Sequence, residues 1–258
     1  MSEYRGGPID HAIIGLPPEQ ATRLVVWGHG WGHNRTAFAP LAESLPRLAT
    51  HLLLDFPGFG RSPPPPGPWG TEDYADAVAD LIRVHRGRKQ VVVWVGHSFG
   101  ARVGLQLAAR HGDLVSGLFL VAAAGLPRKR NAFQAARRWT RLQTYKGLKR
   151  LAPRLGLSVA ALQERFGSAD YRAAGEMRPV LVKVVNENLS DVARAVRCPT
   201  CLVYGADDTE TPPDIGQRLH KLIPGSELTV IPGHDHYSVL GSGRHLVLKR
   251  LMTFVERT

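Results

Sequence analysis

Ser98 stands in Gly96-His97-Ser98-Phe99-Gly100, between the apolar run Val91–Val95 and a helical pattern over Ala101–Arg110. A serine on a sharp strand-to-helix turn, with glycines two residues to either side, exposes its Oγ at the carboxyl edge of a sheet. The helix that follows aims backbone N–H groups at the same place, notably that of Phe99, where an oxyanion would form. The chemistry so implied is nucleophilic attack on a carbonyl. A serine hydroxyl is a weak nucleophile near neutral pH, so it needs a base, and the base needs an acid to orient it.

For a turn of this kind the acid and then the histidine follow the serine along the chain. The stretch CLVYGADDTETPP offers Asp207, Asp208 and, less well placed, Glu210. Asp208 is favoured, because the residues after it should open the next helix and leave it on the inner side of the loop. The stretch LTVIPGHDHYSVL offers His234 and His236, with Asp235 between them.

These groups must be held by a scaffold. Short β-branched and aliphatic runs recur at Arg23–Trp27, His51–Asp55, Val91–Val95, Gly117–Val121, Thr200–Tyr204 and Glu227–Ile231, as expected of strands buried on both faces of a parallel sheet. Helical patterns lie among them: one starting at Thr71, then Ala101–Arg110, Pro213–Leu222 and Val247–Glu256. The alternation predicts an α/β, doubly wound, mostly parallel sheet. Residues 125–195 break the rhythm with helical patches interrupted at Gly147, Pro153, Gly156, Gly167 and Pro179. We expect a core of residues 1–124 and 196–258, with residues 125–195 as a helical cap over the site.

The chain has 258 residues, of which 43% are hydrophobic and 21% charged, so it can bury a sizeable core and disorder is not expected. Its two cysteines, Cys198 and Cys201, are expected to be reduced structural thiols. No segment approaches the roughly 18 apolar residues of a membrane span, and the N-terminus lacks a basic-then-apolar leader. A cytoplasmic location is the expectation. The formal net charge is +11 and favours acidic partners.

The motifs together resemble the α/β-hydrolase superfamily, serine carboxylesterase-like. The similarity is carried by VVWGHGWGHN, LLLDFPGFGRS, VGHSFGAR, YGADDTETPP and VIPGHDHYS. It implies an α/β-hydrolase fold with Ser98 as nucleophile and no cofactor or metal. His29-Gly30-Trp31-Gly32 resembles the turn that supplies the second oxyanion N–H, which points to Trp31 beside Phe99. The Asp55-to-Ser62 loop resembles a structural turn near the site. The family's G-x-x-D-x-x-x-P spacing runs from Gly205 through Asp208 to Pro212 and supports Asp208. Aligning Ile231-Pro232-Gly233 with the family's I-P-G-A-G-H places His236 on its histidine, whereas pairing Gly233-His234 with the G-H would choose His234. A serine, rather than an aspartate, at the elbow implies acyl transfer, with cleavage of an ester, thioester, lactone or amide, or certain C–C hydrolyses.

The span between Asp113 and Glu164 contains no acidic residue and carries Arg128, Lys129, Arg130, Arg137, Arg138, Arg141, Lys146, Lys149, Arg150 and Arg154. Three readings compete: a solvated cap face, a docking patch for an acidic carrier protein, and an interfacial helix on anionic lipid. The HGWGHN and PGFGRS stretches are also similar to those of carboxylesterases that cleave pimeloyl-acyl-carrier-protein methyl ester, and this family resemblance implies an acidic carrier at a basic cap. No nucleic-acid module is recognised, and nucleic acid is not expected as a partner. A ligand-binding protein on a hydrolase scaffold is the non-enzyme alternative. Phe133, Trp139 and Met177 are candidates to line the pocket.

Overall fold

In the computed structural model the described residues are 3–4, 7–45, 47–128 and 169–258, with 140, 143–144, 147–148 and 150–152 between them. The expectations for Lys129, Arg130, Arg137, Arg138, Arg141, Lys146, Lys149, Arg154, Phe133 and Trp139, and for helix breaks at Pro153, Gly156 and Gly167, lie outside those residues.

Nine strands are described: β1 (Glu3–Tyr4), β2 (Gly7–Pro8), β3 (His11–Gly15), β4 (Arg23–Gly28), β5 (Thr50–Leu54), β6 (Val91–His97), β7 (Gly117–Val121), β8 (Thr200–Gly205) and β9 (Glu227–Ile231). The last seven form one sheet in the order β3-β5-β4-β6-β7-β8-β9. All of its pairings are parallel except β3 with β5. The antiparallel strand β3 was not expected from the sequence, because it is an edge strand whose residues are only partly buried and so lack a dense apolar run.

Alternate residues of each central strand feed opposite layers, as the two-residue period of a strand requires. Leu24, Val26, Leu52, Leu54 and Trp94 pack with α2 (Thr71–His85) and α3 (Phe99–Arg110). Val25, Trp27, Leu53, Val93 and Val95 pack with α1 (Ala39–Glu43) and the C-terminal helix Arg244–Arg257. Both faces are therefore covered, which is why the strands read as unbroken apolar runs rather than alternating ones.

Two helix expectations need correction. The helix after Ser98 begins at Phe99, not Ala101, because Ser98 itself is the residue that turns the chain into it. Pro179 does not interrupt a helix; it occupies the first turn of Arg178–Asn186, where its missing N–H costs no intrahelical bond. Met177 is buried in the core, its side chain against Gly58, rather than lining a pocket.

Candidate active site

The carboxyl ends of β4, β6, β8 and β9 lie along one edge of the sheet, and the singled-out residues follow them. Ser98 follows β6 with φ 49° and ψ −99°, a backbone conformation outside the regions comfortable for a side-chain-bearing residue. Strain of this kind costs on the order of 1–3 kcal/mol and persists only where its surroundings enforce it. The enforcing contacts are visible. Ser98 N–H donates to Val121 O at 3.0 Å, and Gly100 N–H donates to His29 O at 3.0 Å. The Trp94 indole N–H donates to Gly100 O at 3.0 Å. A Cβ on Gly100 would overlap Gly28 O, and one on Gly96 would crowd Gly100 O, so both positions need glycine for the helix to sit this close to β4.

Asp208 and His236 meet across the loops after β8 and β9. The His236 Nδ1–H donates to Asp208 Oδ2 at 2.8 Å, with both residues buried. The other carboxylate oxygen accepts the Glu210 and Thr211 N–H groups, each at 2.8 Å. Thr211 Oγ1 lies 2.8 Å from Asp208 Oδ2 and 3.0 Å from Ala122 O, and donates its single proton to one of them. Burial alone would push the Asp208 carboxyl up, but the hydrogen bonds from His236 and Thr211 outweigh it and hold the group below its ordinary range. Asp207 points to solvent, its N–H used on His234 O at 2.9 Å. His234 Nδ1 closes back on Pro232 O at 2.8 Å. The structure thus pairs Asp208 with His236 and leaves Asp207 and His234 outside that pair.

Several participants were not legible in the sequence. His97 is buried, its ring 4.8 Å from that of His236, and its Nε2–H donates to His236 O at 3.0 Å. Glu210, considered only as a triad acid, instead brings Oε2 to 3.7 Å from His236 Nε2, on the side opposite Asp208. Thr211 supports the acid. Each is a common residue in a loop, and no spacing rule marks it.

Trp31 and Phe99 flank Ser98, their rings edge-to-face at 5.6 Å. Among the described residues neither the Trp31 N–H nor the Phe99 N–H takes an acceptor. The Trp31 turn is tied down by His29, whose Nδ1–H donates to Gly30 O at 2.8 Å while its Nε2 accepts from Phe56 N–H at 3.0 Å. Burial drives His29 down to about 4, which keeps it neutral and able to accept. Phe56 opens the loop that Asp55 organises, with Oδ1 accepting from Arg35 N–H at 2.7 Å and Oδ2 from Arg61 N–H at 3.0 Å.

A cavity of about 540 Å³ opens beside Ser98, lined among others by Trp31, Phe99, Arg102, Leu181, Val184 and Glu187. Among the described residues no group of three or more His, Cys, Asp or Glu side chains could hold a metal ion. No helix among them is long and apolar enough to cross a membrane. Cys198 and Cys201 are free, and burial pushes their thiols up to about 11 and about 12, so they are poor nucleophiles.

A strained serine at the head of a helix, a buried His–Asp pair and a mostly parallel sheet define a hydrolase scaffold. Residues 24–249 match the alpha/beta hydrolase family, and the chain belongs to it. It is 31% identical over 244 residues to a pimeloyl-[acyl-carrier protein] methyl ester esterase of Chromobacterium violaceum, covering 86% of this chain and 91% of that protein. It is 28% identical over 256 residues to a 2-(acetamidomethylene)succinate hydrolase of Mesorhizobium japonicum, covering 90% and 88%. Among solved structures, an esterase from Exiguobacterium antarcticum superposes with a TM-score of 0.73 at 20% identity, over 98% of both chains. The enol-lactonase of Burkholderia xenovorans gives 0.70 at 18% identity, over 96% of both. These structural likenesses speak to the fold alone.

Proposed function

We propose that this chain is a serine hydrolase of carboxylic esters, with thioesters and lactones within its chemical reach. The observation that carries the reading is the buried 2.8 Å contact between His236 Nδ1 and Asp208 Oδ2, joined through His97 to the strained turn at Ser98. In the proposed mechanism Ser98 Oγ attacks the carbonyl carbon while His236 Nε2 takes its proton. Asp208 fixes the tautomer that leaves Nε2 free and stabilises the imidazolium. The Trp31 and Phe99 N–H groups receive the oxyanion. His236 then protonates the departing alcohol, leaving an acyl group on Ser98. Water, deprotonated by the same histidine, releases the acid.

In this reading residues 125–195 form a cap over a core of residues 1–124 and 196–258. Leu181, Val184 and Glu187 support it, since they come from the intervening segment and line the cavity beside Ser98.

The test is initial rates on p-nitrophenyl esters of increasing acyl length, comparing wild type with Ser98→Ala. Turnover that disappears in Ser98→Ala supports the reading. Turnover that survives it, or none on any ester, removes it and leaves amide or C–C hydrolysis or ligand binding. A second reading, an acyl chain presented by an acidic carrier protein, is favoured by the 31% identity to the Chromobacterium esterase. Its signature is a rate on carrier-linked ester that falls steeply with salt, while the rate on a small neutral ester does not.

A further inference from the structure

The cavity wall contains a cation that the proposed ester chemistry does not use. Arg102 lies on α3 one turn beyond the serine, its N–H donating to Ser98 O at 3.3 Å. Helical side chains lean toward the N-terminus, so this one comes back over the turn that begins at Ser98. A guanidinium offers five N–H donors. One, on Nη1, reaches Val184 O at 3.0 Å; the remaining donors meet no acceptor among the described residues. Burial pulls its pKa down from the ordinary value, with Glu187 opposing through space. Its unused donors are open to the cavity rather than sealed away from solvent, so they are accessible to a bound anion.

Three of the other four charged groups of the cavity are otherwise engaged. Glu187 is the nearest competitor, but its oxygens accept from Thr71 N–H at 2.9 Å and Thr71 Oγ1 at 2.5 Å, and it makes no ion pair with Arg102. Glu210 faces His236 Nε2 at 3.7 Å. Arg128 donates to Glu210 O. Asp170 lines the cavity as an exposed residue.

We propose that Arg102 is a specificity-determining residue that binds a carboxylate on the acyl part of the substrate, so that the preferred substrates are short monoesters of dicarboxylic acids. The inference rests on the ester-hydrolase reading for its chemistry. Four residues of helix put the Arg102 backbone ~6 Å along the axis from Ser98, and both residues line the one cavity of about 540 Å³, which calls for a short acyl part between the scissile carbonyl and the free carboxylate. A planar guanidinium can take that carboxylate through two parallel hydrogen bonds. The Val184 contact alone would make Arg102 a clasp on the end of helix Arg178–Asn186, a role indifferent to substrate charge.

The experiment compares kcat/KM for monomethyl succinate, glutarate and adipate with that for methyl esters of unsubstituted acids of equal length. We expect at least a tenfold preference for a carboxylated ester in the wild type. In Arg102→Met that ratio should fall at least tenfold, mainly through KM, and Arg102→Lys should retain part of it. A ratio near one in the wild type, or a ratio that Arg102→Met leaves unchanged while both rates fall together, overturns the proposal. Binding separates this from the chemistry: calorimetric titration of glutarate into Ser98→Ala, with and without Arg102→Met. Saturable binding weakened tenfold by Arg102→Met upholds the anion site even if no ester is turned over. No binding, or binding insensitive to Arg102→Met, overturns it even if neutral esters are hydrolysed.

Discussion

His97 and His236 are joined ring against ring and side chain to backbone: the His97 Nε2–H donates to the carbonyl oxygen of His236 at 3.0 Å. The residue just before the elbow serine thus holds the main chain that carries the proposed base. Replacing His97 with leucine would leave a buried carbonyl unpaired, at about 1–3 kcal/mol. Urea unfolding should show that loss, and kcat should fall more than KM rises. His97→Asn, which can restore a donor, should recover part of both. Unchanged kcat in His97→Leu would mean the contact does not position the base.

The strain at Ser98 should be measurable apart from chemistry. Glycine tolerates φ 49° and ψ −99° where alanine does not. Both Ser98→Gly and Ser98→Ala should abolish turnover, but Ser98→Gly should be more stable than Ser98→Ala by roughly 1 kcal/mol, the relieved strain less the entropy glycine adds to the unfolded chain. Equal denaturation midpoints would show that the turn is not strained.

Asp208 and Asp207 are neighbours with opposite surroundings. Asp208→Asn keeps the shape but offers His236 Nδ1 an amide, favouring the wrong tautomer, and kcat should drop about 10³–10⁴-fold. Asp207→Asn, at an exposed carboxylate, should stay within about twofold of wild type. The corresponding histidine comparison has the same form: His236→Ala should abolish turnover, and His234→Ala should not. Reversal of either pair would move the proposed triad to the other residues.

Acid should unfold the protein through its buried histidines. Desolvation lowers His29 to about 4 and His97 to about 3, whereas in the unfolded chain each titrates near 6.5. Between those values the unfolded state binds more protons, so stability is fully present above about pH 6.5 and is lost as pH falls toward the folded pKa values. The slope is at most about 1.4 kcal/mol per pH unit for each histidine. Urea midpoints taken from pH 7 to pH 4.5 should decline, and less steeply in His29→Asn. A flat profile would rule this account out.

The elements that position the site were legible because burial on both faces writes itself into sequence: Val91–Val95 and Thr200–Tyr204 are apolar without a break, and the glycines around Ser98 mark a close approach that any larger residue would block. Resemblance to the family's pattern over Gly205–Asp208–Pro212 pointed to the aspartate that lies buried against His236. What sequence could not display was contact between loops distant along the chain. His97 reads as an arbitrary residue between glycine and serine until β9 brings His236 beside it. Arg102 reads as one polar position on a helix until Val184 and Glu187, more than eighty residues later, close over it. Edge strand β3 lacked the pattern because one side of it meets solvent.

Leu189 N–H donates to Gly125 O at 2.8 Å, and its side chain lies against Gly125. Gly125, four residues past the end of β7, and Leu189, eleven before the start of β8, are thereby clasped to each other. Once a neck is shut, lengthening what hangs from it adds only a slowly growing entropic penalty. Extra residues inserted between Gly125 and Leu189 should therefore cost the fold little stability.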